Sequence, residues 1–178
     1  MTWQIDSVHS HVAFAVKHMM VSTARGNFTI FKGELEIDEQ NPQNSRVFAE
    51  AETASINTGN EGRDQHLRSA DFFDAEKFPT VTFQSTNVEP ISGEEYRVTG
   101  DLTMHGVTKS VTFTGEYSGQ VKDAFGMQRA GLTAHGTINR KDFGLNWSAP
   151  LEAGGLVVEE KVKIDIEIEV TEKVAANA

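Results

Sequence analysis

One stretch near the end of the chain constrains the fold more than any other. Val162, Ile164, Ile166, Ile168 and Val170 alternate without a break with Lys163, Asp165, Glu167 and Glu169. A period of two sends successive side chains to opposite faces of an extended strand, so this segment has one apolar face and one charged face. The apolar face must be covered, and only a sheet can present enough matching surface. The same alternation recurs in Val12, Phe14 and Val16, in Tyr96 to Met104, in Val111 to Val121 and in Ala130 to Ile138.

Turn-forming residues separate these runs: Asn41-Pro42, Glu89-Pro90 through Ser92-Gly93, His105-Gly106, and Lys122-Asp123 through Gly126. The pattern predicts eight strands, at 9–17, 24–37, 46–56, 79–89, 95–105, 107–121, 127–140 and 159–171. Eight meandering strands can close into an up-and-down barrel or stack as two sheets. Several of these run well beyond the usual five or six residues, which suits tilted strands that wrap as well as climb. Glycines inside the runs, at 33, 100, 115, 119 and 136, supply the bends that closure needs. The expectation is an all-β antiparallel barrel forming one domain over residues 1–178, with 172–178 as a frayed tail.

Thr58 to Phe78 breaks the alternation. Thr58 and Glu61 have capping-box spacing, and Asp64 precedes Arg68 by one helical turn, the favourable order for an ion pair. Leu67, Phe72, Phe73 and Phe78 give the segment an apolar side and Pro79 ends it. A short helix and turn packed on the sheet is predicted.

Composition narrows the chemistry. The absence of cysteine excludes disulfides, thiolate nucleophiles and Cys-based metal centres. A net charge of −10 with no basic stripe argues against nucleic acid. No window approaches the roughly 18 consecutive apolar residues of a spanning helix. Met1 to Asp6 lacks the basic and apolar regions of a signal peptide, so the expected location is cytoplasmic, or periplasmic for a chain trimmed of its leader.

No recognisable catalytic motif emerges. His9 and His11 stand at i, i+2 and could begin a metal site, with His18, His105 or His135 as a third ligand, although His-x-His on a strand is more often structural. Ser10 between them faces the opposite way. Arg63 to Arg68 collects an acid, an imidazole and cations, but neighbours on a helix diverge, so a salt-bridged surface or a ligand-greeting rim are the two readings. Small residues at Ala13, Ala49, Ala51, Ala130, Ala134 and Gly136 would leave internal room if they face inward; facing outward, they carry no such meaning.

Taken together the blocks resemble the YceI-like family of lipid-binding proteins. The likeness begins at Trp3-Gln4-Ile5-Asp6, His11 and His18 and is strongest over Arg63 to Phe73 and Phe78 to Phe83. It continues through Gly100 to Lys109, Arg129 to Leu132 and Lys141-Asp142-Phe143-Gly144. The resemblance implies a lipocalin-like barrel with a helical excursion, a polyisoprenoid or similar long amphiphile in its lumen, and commonly a homodimer. It brings no catalytic set and no cofactor other than bound lipid.

An oily chain would need a dry tube, each buried methylene contributing about 0.8 kcal/mol. Candidate wall residues are Phe14, Val16, Phe28, Ile30, Val81, Phe83, Leu102, Val111, Phe113, Leu132, Ile138, Ile164 and Ile166. A phosphorylated head would need cations, for which Arg25, Arg63 and Arg68, helped by His18 and His66, are the candidates; a quinone or amide would need only hydrogen bonds. The leading expectation is therefore non-enzymatic binding, transport or storage of a polyisoprenoid, isoprenoid quinone or fatty-acid derivative. The alternatives are a histidine-based metal enzyme and a structural barrel with a filled interior.

Overall fold

The computed structural model describes residues 1–149, 151 and 157–173. Its strands are β1 (Thr2–Ile5), β2 (His11–His18), β3 (Ser22–Phe28), β4 (Phe31–Glu36), β5 (Arg46–Glu52), β6 (Ile56–Asn57), β7 (Thr80–Ser92), β8 (Glu95–Met104), β9 (Val107–Lys122), β10 (Gln128–Asn139) and β11 (Val158–Glu172). One α-helix, α1 (Glu61–Arg68), follows β6. The strands form eight antiparallel staves, because β1 with β2, β3 with β4, and β5 with β6 are each one stave interrupted. Pairing of β11 with both β1 and β2 closes the ring, so among the described residues no long edge is left for another chain to pair with.

The interruptions are differences from the sequence reading. β1 lies outside the predicted first strand, and the predicted 24–37 and 46–56 are each split in two. All three breaks are stitched by hydroxyls. Buried Ser10 donates to the Asp6 carbonyl at 2.7 Å and accepts from the Glu169 amide of β11 at 2.9 Å. Ser55 Oγ accepts from the Ile30 amide at 3.1 Å, tying the β3–β4 break to the β5–β6 break. At the other end of the chain, β11 runs one residue into the predicted tail, Glu172 pairing with Trp3, while 174–178 lie outside the described residues.

The helical excursion is present, with different capping. Asn60, not Thr58, is the N-cap, its side chain accepting from the Arg63 amide. Asp64 does not pair with Arg68. It is buried and accepts from the Thr58 amide and hydroxyl, which makes it a clamp on the turn leading into the helix. Arg68 instead pairs with Glu61 and donates to the Ala54 carbonyl.

Inward residues gather into two clusters. Trp3, Leu35, Ala130, Ile168 and Val170 form one, toward the β7–β8 and β9–β10 hairpins. Leu102, Met104, Ile138, Phe143 and Leu145 form the other, beneath α1. The α1 end is covered by aromatic contacts: His66 and Phe72 meet Trp147 edge-on or tilted at 4.8 and 5.3 Å, and Phe78 meets His105 at 4.9 Å. Arg140 holds the covering segment down. Buried and, among the described residues, without a carboxylate partner, its guanidinium donates to the carbonyls of Leu145, Trp147, Val158 and Glu159. Burial lowers its pKa from the usual arginine value.

Candidate functional site

Along β10 the inward series is Ala130, Leu132, Ala134, Gly136 and Ile138, opposite the inward Val170, Ile168, Ile166, Ile164 and Val162 of β11. On the α1 side, phenylalanine rings occupy the space that inward glycines leave. The Phe83 ring comes within 2.5 Å of where a Gly100 Cβ would stand, and the Phe113 ring within 2.7 Å of the same point at Gly136. The rings of Phe83 and Phe113 meet at 5.6 Å, and Phe14, Phe28 and Phe73 form a chain with centroids 6.0 and 6.1 Å apart. Small residues here seat aromatic rings.

The hairpin end differs. Gly115 of β9 lies opposite Ala134 of β10, so two of the smallest side chains stand together. A cavity of about 90 Å³ opens there, walled by Leu35, Ile37, Val47, Val88, Tyr96, Val98, Gly115, Tyr117, Leu132 and Ala134 and roofed by the β4–β5 connection through Asp38, Glu39, Pro42 and Ser45. It has room for a few water-sized groups. Leu35, Ile37, Val47, Tyr117 and Leu132 also pack in or against the cluster of the fully buried Trp3, whose indole N–H finds no acceptor among the described residues.

The roof is latched to the wall. Glu39 Oε1 accepts from the Tyr117 hydroxyl at 2.7 Å and from Gln120 Nε2 at 2.9 Å. Burial, and the carboxylate of Glu39 beside it, push the Tyr117 hydroxyl up to about 12. Asp38 accepts from the Asn41 and Gln40 amides and from Asn44 Nδ2, which lowers its pKa and keeps it an anion. Glu36 and Arg46 pair across β4 and β5, and Glu116 stands opposite Thr133, so these three wall residues are exposed on the outer face beside the inward Leu35, Val47, Gly115 and Ala134.

Of the candidate wall residues, Leu132 alone lines this cavity. Val81, Phe83, Leu102, Val111, Ile138 and Ile164 pack in the cluster beneath α1, Ile166 packs with Trp3, and Phe113 meets Phe83. Phe14 and Phe28 belong to the aromatic chain, and Val16 pairs with Val162. Ile30 is a correction: it sits in the β3–β4 break, 53% exposed, because Ser55 pulls that turn out of the ladder. The head-group candidates do not border the cavity. Arg25 is exposed, on the face of β3 opposite Ala24 and Gly26. Arg63 is spent on Thr58 and Arg68 on Glu61 and Ala54. His66 contacts Asp71 at 2.9 Å, and His18 ends β2 opposite Val158.

The alternative of a metal site begun by His9 and His11 is not supported by the geometry of the described residues. Among the described residues, one group has ligand atoms close enough for an ion, Asp6, His9 and Glu169, and it contains neither His11 nor His18, His105 or His135. Arg129 already supplies its cation, pairing with Asp6 at 3.2 Å, with Glu169, and with Asp123 at 2.8 Å. The bond to His9 lowers Asp6 and raises His9, while Arg129 lowers Asp123. Sequence reasoning missed both Arg129 and Arg140; the αL glycine at Gly144, closing Arg140–Phe143, was the available signal for the second.

With the closed barrel and its cavity in view, comparison with known proteins is decisive. The model of the YceI-like domain matches residues 3–170. The chain belongs to the YceI-like family. A UPF0312 protein of Photorhabdus laumondii is 44% identical over 147 residues, 83% of this chain and 75% of that protein. A UPF0312 protein of Staphylococcus aureus is 38% identical over 165 residues, 92% of this chain and 94% of that protein. Among solved structures, the Campylobacter jejuni YCEI protein superposes with a TM-score of 0.77 at 31% identity, covering 89% of this chain and 90% of that one. A polyisoprenoid binding domain from Saccharophagus degradans shares the fold, with a TM-score of 0.68 at 17% identity over 96% of this chain and 98% of that one. Among the described residues no helix is long and apolar enough to cross a membrane.

Proposed function

We propose that this YceI-like barrel binds a long apolar amphiphile, a polyisoprenoid, an isoprenoid quinone or a fatty-acid derivative, and carries or stores it without chemical change. The observation that carries the reading is the apolar cavity between Leu35, Val47, Val98, Leu132 and Ala134, which shares Leu35, Val47 and Leu132 with the Trp3 cluster. Apolar surface of that kind gains by exchanging water for hydrocarbon, without any directional bond. The description of the Saccharophagus degradans neighbour as a polyisoprenoid binding domain supports the same ligand class. The homodimer implied by the resemblance belongs to this proposal and is checked by analytical ultracentrifugation.

The test is native mass spectrometry of the freshly purified protein, followed by organic extraction and by titration with a prenyl alcohol. Release of a lipid, or saturable uptake of the alcohol, is the expected outcome. A protein that releases nothing and takes up nothing refutes the proposal. In that event the second reading, a barrel with a filled interior, is favoured by the phenylalanine packing of Phe83 with Phe113 and of Phe14 with Phe28 and Phe73.

A further inference from the structure

Among the described residues two buried side-chain polar atoms lack a hydrogen-bond partner, Trp3 Nε1 and Ser148 Oγ. Ser148 follows Trp147 in the segment over the α1 end, whereas Trp3 belongs to the cluster that adjoins the cavity. In the ladder Trp3 stands between Leu35 of β4 and Glu172 of β11, and strand alternation turns its side chain inward with that of Leu35. Leu35 also lines the cavity, so the indole and the cavity share a wall. The Trp3 side chain is fully buried, and neither ladder partner accepts from it. Tyr117, packed against the same cluster, commits its hydroxyl to Glu39. An indole N–H donates and cannot accept, and a buried one ordinarily finds a partner. Left alone, it forfeits the bond it made to water in the unfolded chain. Phenylalanine would supply a similar apolar plate without that cost. The donor therefore marks a point on an apolar wall where an acceptor is missing, the kind of isolated polar group that fixes a ligand's orientation.

We infer that the lumen binds an amphiphile with an uncharged carbonyl head, as in a quinone, an ester or an amide, whose oxygen accepts from Trp3 Nε1–H. The inference rests on the lipid-binding reading and adds the class of its head group and the direction of its chain. A phosphate head would lose its hydration in return for one neutral donor, because Leu35, Ala130, Ile168 and Val170 around Trp3 are all apolar. A hydroxyl head would satisfy the indole but bring a donor of its own that needs a second partner. A carbonyl oxygen only accepts, so nothing is left unpaired. With the head held at Trp3, the hydrocarbon runs toward Phe83 and Phe113 and the cluster beneath α1.

The experiment follows the indole N–H signals of the isotope-labelled protein by nuclear magnetic resonance during titration with farnesylacetone and with farnesene. The first ends in a ketone, and the second is a hydrocarbon of the same isoprene units. Trp3 and Trp147 are the two tryptophans, so the second signal serves as an internal reference. The ketone is expected to move the Trp3 proton downfield and slow its exchange with solvent, and the hydrocarbon to do neither. Calorimetry supplies the second measurement. Trp3→Phe keeps a ring and removes the donor, and should lower the ratio of ketone to hydrocarbon affinity by roughly fivefold or more. The ratio cancels the apolar part of transfer and any general loosening of the barrel. A Trp3 signal that responds alike to both ligands, or a ratio unchanged in the variant, overturns the head-group inference and leaves lipid binding standing. If Trp3→Phe does not fold, the indole signals of the unaltered protein decide alone. Failure of both compounds to bind removes the lipid reading itself, and this inference with it.

Discussion

Replacing Ala134 with leucine tests whether the barrel is hollow where the geometry says it is. Ala134 lines the cavity, points inward between Leu132 and Gly136, and faces Gly115 across the ladder. Leucine adds three carbons, each about as large as a water molecule, to a space of about 90 Å³. Burying them fully would contribute about 2.4 kcal/mol at ~0.8 per carbon; ordering the side chain costs ~0.5–1, and the open side of the cavity leaves some surface wet. The net expectation is a gain of about 1 kcal/mol, which raises Tm by roughly 2–4 °C in a chain of this size. In a filled interior the same substitution is overpacking and costs about 1–3 kcal/mol. Sign alone therefore separates the two cases. The assay is urea and thermal unfolding of ligand-free protein, paired with prenyl alcohol uptake, which the leucine should reduce. Destabilisation by about 1 kcal/mol or more, or stabilisation with uptake intact, refutes the assignment of this space as the ligand site.

Arg140→Ala strands four carbonyls and should cost about 3 kcal/mol or more in urea unfolding, and Arg140→Lys should recover little, because an ammonium cannot reproduce the planar fork. His9, raised by its bond to Asp6, contributes stability that is full below the unfolded histidine value and fades as pH rises through its own higher value; the Tm advantage over His9→Ala should shrink from pH 6 to 8. Tyr117 should ionise at about pH 12 by ultraviolet titration, and Glu39→Ala should return it toward the ordinary tyrosine value. Gly115→Ala sets a Cβ 1.9 Å from the Thr133 carbonyl oxygen, a backbone atom, whereas at Gly136 the nearest atom is the Phe113 ring edge, which can turn; the first should destabilise strongly in thermal melts and the second by about 1 kcal/mol or less.

Much of the barrel was legible because alternation is a local property. β8, β9, β10 and β11 lie close to where Tyr96 to Met104, Val111 to Val121, Ala130 to Ile138 and Val162 to Val170 locate them. The three broken staves were not legible, since the breaks depend on partners far along the chain: Ser10 on Glu169, and Ile30 on Ser55. β1 offered only Trp3 and Ile5 as inward residues, too short an alternation to register. The cavity was half-visible. Large apolar residues marked the interior correctly as a class, yet they are the residues that fill space, and the opening lies where Gly115 meets Ala134. The arginines near α1 advertised an anion site by type alone; nothing in a sequence reveals that Thr58, Ala54 and Glu61 already occupy them.

A guest longer than the cavity must pass the Trp3 cluster and the phenylalanines beyond it, and the way those rings are seated bears on the cost. The rings of Phe14, Phe83 and Phe113 come within 2.5–2.7 Å of where side chains would begin at Gly26, Gly100 and Gly136. A ring lying over a neighbouring glycine is drawn toward the backbone wall, so it intrudes less on the axis than a ring over a β-branched residue would. The edge-on contact of Phe83 with Phe113 is then a modest interaction, worth about 0.5–1.5 kcal/mol beyond area burial. One isoprene unit of five carbons gains up to about 4 kcal/mol on leaving water, which exceeds the cost of parting that pair. Hydrocarbon entering from the hairpin end can therefore extend the hollow as it advances, with the glycine slots taking up the rings. The small ligand-free cavity is in this way compatible with a much longer occupant.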